Sequence, residues 1–340
     1  MSQLNPVTAS RTLEMLRSAM GPVIGAALDD KNVIEIMVNP DGKLWLDRHG
    51  EGRVYTGEMI TPPDAERIVK LVASHIRQEV TTNRPIVSAE LPGIPPFGGE
   101  RFEGLLPPVV SAPCFSIRKG AAKIFTLGDY VEAETMTKAQ ADALSYAVNA
   151  KLNILIVGGT SSGKTTFANA LLAEIANCND RVLILEDTRE LQCAAEDTVA
   201  LRTHGQDVKL ADLVRSTLRL RPDRIVVGEV RGPEALDMLK AWNTGHPGGI
   251  ATVHANSAEA GIYRIEQLIL EGASSVPRTL IAEAINVIVF ISGRGLSRRV
   301  ETIARVLGVH GDEYDFEPLA PNFTLLTMPV GCKLIPKTKP

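Results

Sequence analysis

The sequence has little cysteine and no cysteine pair. Its four cysteines are far apart, and no two of them have the CxxC spacing of zinc ribbons. Disulfide frameworks belong mainly to small secreted proteins with much denser cysteine. The cysteines, at Cys114, Cys178, Cys193 and Cys332, therefore indicate neither a zinc ribbon nor a disulfide framework, and they suit a reducing cytoplasm.

Long hydrophobic runs are also absent. A helix that crosses a bilayer needs roughly 20 consecutive apolar residues, and no segment approaches that length. The N-terminal stretch, Met1-Ser2-Gln3-Leu4-Asn5-Pro6, lacks the basic and apolar regions of a signal peptide. These absences predict a soluble protein that is not exported.

An excess of basic charge is missing as well. The net charge is −4 over 340 residues, which gives no general surface for coating nucleic-acid phosphates. The net charge does not decide whether the surface has a local basic patch, so direct contact with DNA stays an open alternative. The chain has no internal repeat and no low-complexity tract, and its length predicts about two domains.

The strongest positive signal is a glycine-rich stretch between a predicted strand, residues 154–157, and a predicted helix, residues 166–172. It fits the pattern of Gly, four free positions and Gly-Lys-Thr, in which the backbone turns tightly and helix N-terminal amides bind phosphates. The predicted phosphate-binding residues are Gly158, Gly159, Thr160, Ser161, Ser162, Gly163, Lys164, Thr165 and Thr166. Lys164 would reach the β- and γ-phosphates, and the Thr165 hydroxyl would hold Mg²⁺.

The pattern before this loop is that of an α+β domain over residues 1–119. Helical spacing over residues 11–28 is interrupted at Gly21-Pro22, and Thr61 caps a helix with Pro62 at its first position. The predicted strands of this domain are residues 33–38, 44–46, 102–106 and 114–118. The amphipathic first helix leaves peripheral membrane association open, although packing within its own domain is the better interpretation.

After a predicted connection at residues 120–135, strands and helices alternate through residues 136–320. Thr137 and Gln140 form a capping box at the start of this domain. Strand-helix alternation favours a largely parallel sheet covered on both faces. The predicted strands are residues 182–185, 199–202, 225–227, 250–253 and 287–291, with helices at 210–218, 233–242 and 258–271 and an antiparallel pair within 299–316. No motif falls in the tail, residues 321–340.

Two acidic residues follow apolar strands of this second domain. Glu186 comes after residues 183–185 and Glu229 after residues 225–227. Carboxylates in such positions hold Mg²⁺ and orient water for phosphoryl transfer. Gly228 stands where most phosphate-loop enzymes have an Asp before the Glu.

Together these sequence motifs resemble those of the secretion and pilus traffic ATPases. Within that superfamily they are most similar to the conjugative-transfer branch of type IV secretion. The matching motifs follow one another in the same order as in the family. They lie at residues 35–42, 101–109, 159–165, 185–191, 218–225, 227–231 and 245–256, and the last of them resembles a histidine box. The resemblance covers about residues 10–310. It implies a RecA-like ATPase domain, a homo-hexameric ring, and ATP with Mg²⁺ bound between the two domains. It also implies inner-membrane components of a secretion machine as partners and a place at the cytoplasmic face of that membrane.

The resemblance also implies roles for individual residues. Glu229 matches the glutamate that supports Mg²⁺ and water, and Glu186 matches an acidic-box residue beside the γ-phosphate; which of them is the general base stays open. The remaining matches are arginines and histidines: Arg101 and Arg118, which would reach the phosphates from the N-terminal domain, Arg219 at the subunit interface, and His246 and His254, which would sense the γ-phosphate or be satisfied core histidines.

The leading interpretation is an ATP-hydrolysing motor that helps to assemble or operate a conjugation channel. One alternative is the ATPase of a type II secretion or type IV pilus system, whose assembly members commonly carry a four-cysteine metal module. A small-molecule kinase would need an acceptor pocket and a lid instead of the histidine box. A nucleotide-gated scaffold with little hydrolysis would differ in steady-state turnover.

Overall fold

The computed structural model describes residues 6–93, 97–120, 124–204 and 207–319. The predicted tail, residues 321–340, lies outside these ranges. The chain divides into two compact units, Met1–Lys123 and Ile124–Pro340. The boundary falls within the predicted connection at residues 120–135, whose second half contains a short helix of the second unit. No helix in the described ranges is both long and apolar enough to cross a membrane.

In its described residues, the first unit contains two helices and a six-stranded antiparallel sheet with the strand order β3-β2-β1-β6-β5-β4. The helices are α1 (Pro6–Asp29) and α2 (Pro62–His75). The strands are β1 (Val33–Val38), β2 (Lys43–Arg48), β3 (Gly52–Met59), β4 (Ile86–Glu90), β5 (Arg101–Leu105) and β6 (Cys114–Arg118).

Local sequence signals account for these elements. Gly21, with φ 71° and ψ 177°, interrupts α1 immediately before Pro22, which confirms the predicted break. The Thr61 side chain accepts a hydrogen bond from Asp64 N at the start of α2, which confirms the predicted cap. One face of the sheet buries residues such as Phe102 under the helices.

The second unit contains an eight-stranded sheet with the order β14-β13-β12-β7-β11-β10-β8-β9. Strands from β12 to β9 in that order are parallel, and β13 and β14 add antiparallel strands at one edge. The strands are β7 (Ile154–Gly158), β8 (Val182–Glu186), β9 (Thr198–Arg202), β10 (Arg224–Val227), β11 (Ile250–His254), β12 (Val287–Ser292), β13 (Arg299–His310) and β14 (Glu313–Pro318).

Helices cover both faces of this sheet and form two buried apolar clusters. One cluster contains α6 (Leu210–Thr217), α7 (Glu234–Asn243), α8 (Ala258–Leu270) and α9 (Arg278–Ala284). The other contains α3 (Leu127–Glu132), α4 (Lys138–Asn149) and α5 (Lys164–Ile175). The predicted class, an α+β unit followed by a largely parallel α/β unit, is confirmed.

A buried ion pair lies at the amino-terminal ends of the parallel strands. Arg224 is 1% exposed and its Nε donates to Asp180 Oδ2 at 2.7 Å. Its other nitrogens donate to the carbonyls of Val148 and Gly248. Burial by itself raises the pKa of Asp180, but hydrogen bonds from Lys151 and Arg224 outweigh burial and lower it. The carboxylate is thus kept charged beside its two cations.

Candidate active site

The phosphate loop joins the fully buried strand β7 to the start of α5, as the sequence predicts. Gly163 caps α5 in the left-handed region, with φ 93°, and carries no side-chain cap. Gly158 also needs to be glycine, because a Cβ there would lie 2.5 Å from the carbonyl oxygen of Ile291. With no acidic residue in its first turn, α5 presents the positive end of its dipole to an anion.

The hydroxyl residues of this loop differ in exposure. Thr160 and Ser161 are exposed, whereas Thr165 and Thr166, in the first turn of α5, are half-buried. Ser162 is buried, and its Oγ has no hydrogen-bond partner in the described part of the chain. The loop therefore combines backbone curvature with hydroxyl groups at the helix start, which suits a phosphate and its magnesium ion.

Lys164 is the centre of the polar contacts around the loop. Although lysine is usually exposed, it is only 7% exposed here. Its Nζ donates to the carbonyl oxygens of Gly158 and Gly159, at 3.0 and 3.1 Å. The same Nζ lies 3.1 Å from Nδ1 of His254. The ammonium is therefore held at the mouth of the loop, where phosphate oxygens would compete for it.

His254 connects this lysine to Glu229. Register places His254, the last residue of β11, opposite Gly158 at the end of β7. The imidazole Nε2 lies 2.6 Å from Glu229 Oε1. Since Lys164 can only donate, the matching neutral tautomer accepts at Nδ1 and carries its proton on Nε2, the nitrogen nearest to Glu229. Lys164, His254 and Glu229 thus lie close together at the carboxyl ends of three neighbouring strands, β7, β11 and β10.

The charge state of His254 follows from these neighbours. Burial lowers its pKa from the usual 6.5, and the nearby Lys164 ammonium lowers the pKa further. The Glu229 carboxylate acts in the opposite direction but does not reverse the shift. The imidazole is therefore neutral at pH 7, which allows its Nδ1 to accept a hydrogen bond from the Lys164 ammonium.

Arg231 is a neighbour of Glu229 that the motif analysis did not single out. Its guanidinium makes two hydrogen bonds to Glu229 Oε2, and Nε lies at 2.8 Å. A second, weaker pair joins Arg231 to Asp187 Oδ2 at 3.7 Å. The spacing Glu229-x-Arg231 places both side chains on the same side of an extended segment, and it was the signal available in the sequence.

Glu186 has a different environment from Glu229. It is 5% exposed, and its Oε1 accepts hydrogen bonds from the backbone N–H groups of Glu190 and Leu191, at 3.0 and 2.8 Å. Gly228 allows this arrangement, because a Cβ there would lie 3.0 Å from Glu186 Cγ. The glycine that stands in place of the usual Asp therefore leaves room for Glu186 to pack closely against the backbone.

His246 and Arg219 lie near the amino-terminal ends of the parallel strands, whereas the phosphate loop lies at the carboxyl-terminal ends. His246 precedes β11 by several residues, and its Nδ1 lies 3.0 Å from the carbonyl oxygen of Pro222. Arg219 is exposed in the segment that leads from α6 into the start of β10. The second unit thus brings His254, Glu229 and Lys164 together. His246 and Arg219 lie apart from them, at the amino-terminal ends of the strands.

Arg101 and Arg118 lie side by side in the first unit. They are direct cross-strand partners in β5 and β6, and Glu90 and Glu35 are the next partners on either side. The four side chains alternate with the buried residues of their strands, so they share the face turned away from the core. Two like charges in direct register are unfavourable unless other groups compensate them.

The fold agrees with comparisons to known proteins. The profile of the type II/IV secretion system protein family matches residues 58–332. The chain therefore belongs to that family and is an ATPase of type IV secretion, in the group of the conjugal transfer proteins.

Individual relatives show which proteins of this family the chain is similar to. The chain is 48% identical to conjugal transfer protein TrbB of Rhizobium radiobacter, over 91% of this chain and 95% of that protein. It is 33% identical to type IV secretion system protein PtlH of Bordetella pertussis, over 81% and 91% of the two chains. The crystal structure of the pilus retraction motor PilT with bound ADP has the same fold, with a TM-score of 0.60, 20% identity and coverage of 89% and 83%.

Proposed function

We propose that the chain is a motor whose ATP hydrolysis energises assembly or operation of a conjugation channel. The observation that carries the proposal is the connection of Lys164, His254 and Glu229 at the carboxyl ends of adjacent parallel strands. Ligands of parallel α/β sheets bind at that end. The similarity to conjugal transfer proteins supports the transport role.

The chain's own groups would divide the work of hydrolysis. Lys164 would transfer its hydrogen bonds from the loop carbonyls to phosphate oxygens, because a charged acceptor binds an ammonium more strongly than a carbonyl does. Neutral His254 would donate to the γ-phosphate, and Glu229 would orient the attacking water. Thr165 and Glu229 would hold Mg²⁺, which supplies positive charge to the phosphates.

Several remaining groups would act only in an assembled, nucleotide-bound form. On the family resemblance, the chain forms a homo-hexamer at the cytoplasmic face of the inner membrane. Arg101 and Arg118 would reach the phosphates from the first unit. Arg219 and His246, exposed or half-buried at the amino edge of the sheet, would then act at a subunit interface, since they lie far along the strands from this chain's own loop.

Substitution of Lys164 tests the proposal. Lys164→Ala should reduce steady-state ATP turnover by at least about 100-fold, because preorganised charge at phosphates is worth that much in rate. Turnover is measured by phosphate release at saturating ATP, with circular dichroism to verify the fold. Lys240→Ala, which removes an exposed lysine of α7, is the matched control.

Two results would contradict the proposal. Unchanged turnover in Lys164→Ala would mean that the phosphate loop is not the hydrolytic site. A wild-type protein that binds ATP but does not turn it over would favour the nucleotide-gated scaffold.

A further inference from the structure

The connection between β12 and β13 brings Arg298 against the phosphate loop. A Cβ built on Gly163 would lie 2.7 Å from both Cζ and Nε of Arg298. The guanidinium therefore occupies the space that any side chain at the N-cap of α5 would need. Contact with the last glycine of the loop places a permanent cation directly beside the phosphate-binding backbone.

Arg298 reaches the loop from the side opposite to His254 and Glu229. In the strand order, β12 lies on one side of β7, whereas β11 and β10 lie on the other. A bound phosphate chain would thus have Lys164, His254 and Glu229 on one flank and Arg298 on the other. Among the described residues of this unit, none of those in the recognised motifs lies on this second flank.

The backbone around Arg298 is fixed by hydrogen bonds. Gly293, with φ 74°, allows a tight approach to Ser297 O, and the turn closes with Arg298 N donating to Gly295 O at 3.3 Å. Two residues later, Val300 N donates to Thr135 O at 2.9 Å. The backbone that carries Arg298 is therefore held in place by the fold.

The polar groups near this arginine are short of partners. In the part of the chain that the structure describes, the buried Nε of Arg298 has no hydrogen-bond partner, and neither does Oη of Tyr130, whose phenol interacts with the Arg298 charge. Ser162 Oγ, in the loop itself, also has none there. Within the described ranges, no carboxylate pairs with the Arg298 guanidinium. Buried donors are normally satisfied, so an unpaired charged donor beside an anion-binding loop indicates that its acceptor is a ligand.

We propose that Arg298 binds the phosphate groups of the nucleotide held by the loop, as an arginine supplied by the same chain. The inference rests on the proposed nucleotide site and adds a residue to it. A guanidinium presents several donors in a planar fork that matches phosphate oxygens. Because Arg298 lies across the loop from Glu229, it contributes to nucleotide binding more than to the attack of water.

Substitution of Arg298 with glutamine tests this, because glutamine keeps much of the packing on Gly163 and removes the charge. Arg298→Gln should raise the Kd of both ADP and ATP about tenfold, the size expected for one charge-assisted hydrogen bond. The Kd should also depend less steeply on salt concentration than in the wild type, since one cation fewer contacts the anion. Turnover at saturating ATP should change much less than the Kd.

Binding is measured with a fluorescent ADP analogue and by ATP competition, in the full chain. Arg294→Gln, which changes an exposed arginine of the same connection, should bind both nucleotides like the wild type. Thermal unfolding without nucleotide shows whether the substitution disturbs the fold. If Arg298→Gln is not folded, Arg298→Lys replaces it, and we expect weaker binding because an ammonium loses the fork.

Two results would overturn the proposal. Wild-type affinity for ADP in Arg298→Gln, or in Arg298→Lys when that variant replaces it, would remove the arginine from the site. Weaker binding with an unchanged salt dependence would show that Arg298 only shapes the loop by packing. Failure of the wild type itself to bind ADP would instead count against the proposed nucleotide site.

Discussion

Glu229 is the residue at which the contacts of the candidate site converge. Its two carboxylate oxygens are divided between His254 on one side and Arg231 on the other. Both partners must yield or share the carboxylate when it orients a water molecule. Arg231 is itself attracted to Asp187, so the pair can shift without leaving a charge unpaired.

Replacement of Glu229 with glutamine separates binding from hydrolysis. Glu229→Gln keeps the shape of the side chain but removes the charge that would hold metal and orient water, so turnover should fall at least about 100-fold while ATP still binds. The measurement pairs phosphate release with retention of labelled ATP on the protein. Glu313→Gln, an exposed change in β14, is the control. Loss of ATP affinity with normal turnover would contradict the assigned role.

Close packing between elements has its clearest test at Gly228. Glu186 cannot swing aside easily, because two backbone N–H groups hold its Oε1. Gly228→Ala should therefore destabilise the second unit by about 1–3 kcal/mol through overpacking. Gly308→Ala, where an added Cβ meets no atom within 4 Å, should cost less than about 0.5 kcal/mol.

The comparison is made by denaturant unfolding in a Trp45→Phe background. Trp242 then reports on the second unit alone, because its indole is buried there and donates to Ile225 O. Equal stability of the two glycine variants would show that the loop after β10 adjusts freely around Glu186.

Elements with a strong local pattern could be predicted from the sequence. The break at Gly21-Pro22, the cap at Thr61 and the buried parallel strands all carry such patterns. Strand β3 was not predicted, because nearly all of its residues are exposed and give no alternation. Helix α3 was missed because it has only six residues, although Thr126 and Asp129 form a capping box.

The site was predictable in its residue types but not in its geometry. Motifs identified Lys164, Glu229 and His254 without showing that they touch one another. They also gave His246 and His254 the same expected role, sensing of the γ-phosphate, whereas β11 separates the two histidines by its whole length. Arg298 has no motif, since its position depends on how a distant strand pairs with β7.

Coupling between the two units is the property expected of the molecule as a whole. Arg118, exposed at the end of β6, is expected to contact the nucleotide in the ATP-bound state. Arg118→Ala should lower turnover by roughly 1,000-fold, a size typical of arginines that stabilise transferring phosphoryl groups. It should also abolish any compaction that a non-hydrolysable ATP analogue causes in small-angle scattering.

Arg118→Lys should restore only part of the turnover, because an ammonium keeps the charge but loses the planar fork. Arg53→Ala, at an exposed position of β3 in the same unit, is the control. Normal turnover and normal compaction in Arg118→Ala would leave the arginine as a solvated strand residue, and the coupling would lie elsewhere.

Assembly into a closed ring is the remaining prediction at this scale. Analytical ultracentrifugation with Mg²⁺ and nucleotide should show a species near six subunits, as the family resemblance implies. Arg219→Ala should lower turnover in the assembled form while leaving ATP binding to the monomer unchanged. A strict monomer whose specific activity does not depend on protein concentration would refute the ring.

Strand β11 lies between β7 and β10, and its register fixes which of its residues meets the phosphate loop. Consequently, β11 should tolerate changes of residue type more readily than changes of length over evolution. A conservative apolar replacement within the strand alters packing locally. A deletion of one residue would turn every following side chain to the other face and withdraw His254 by about 3.3 Å from Gly158. The number of residues between the two histidines of the box is therefore constrained. Insertions and deletions would disrupt it more readily than substitutions would.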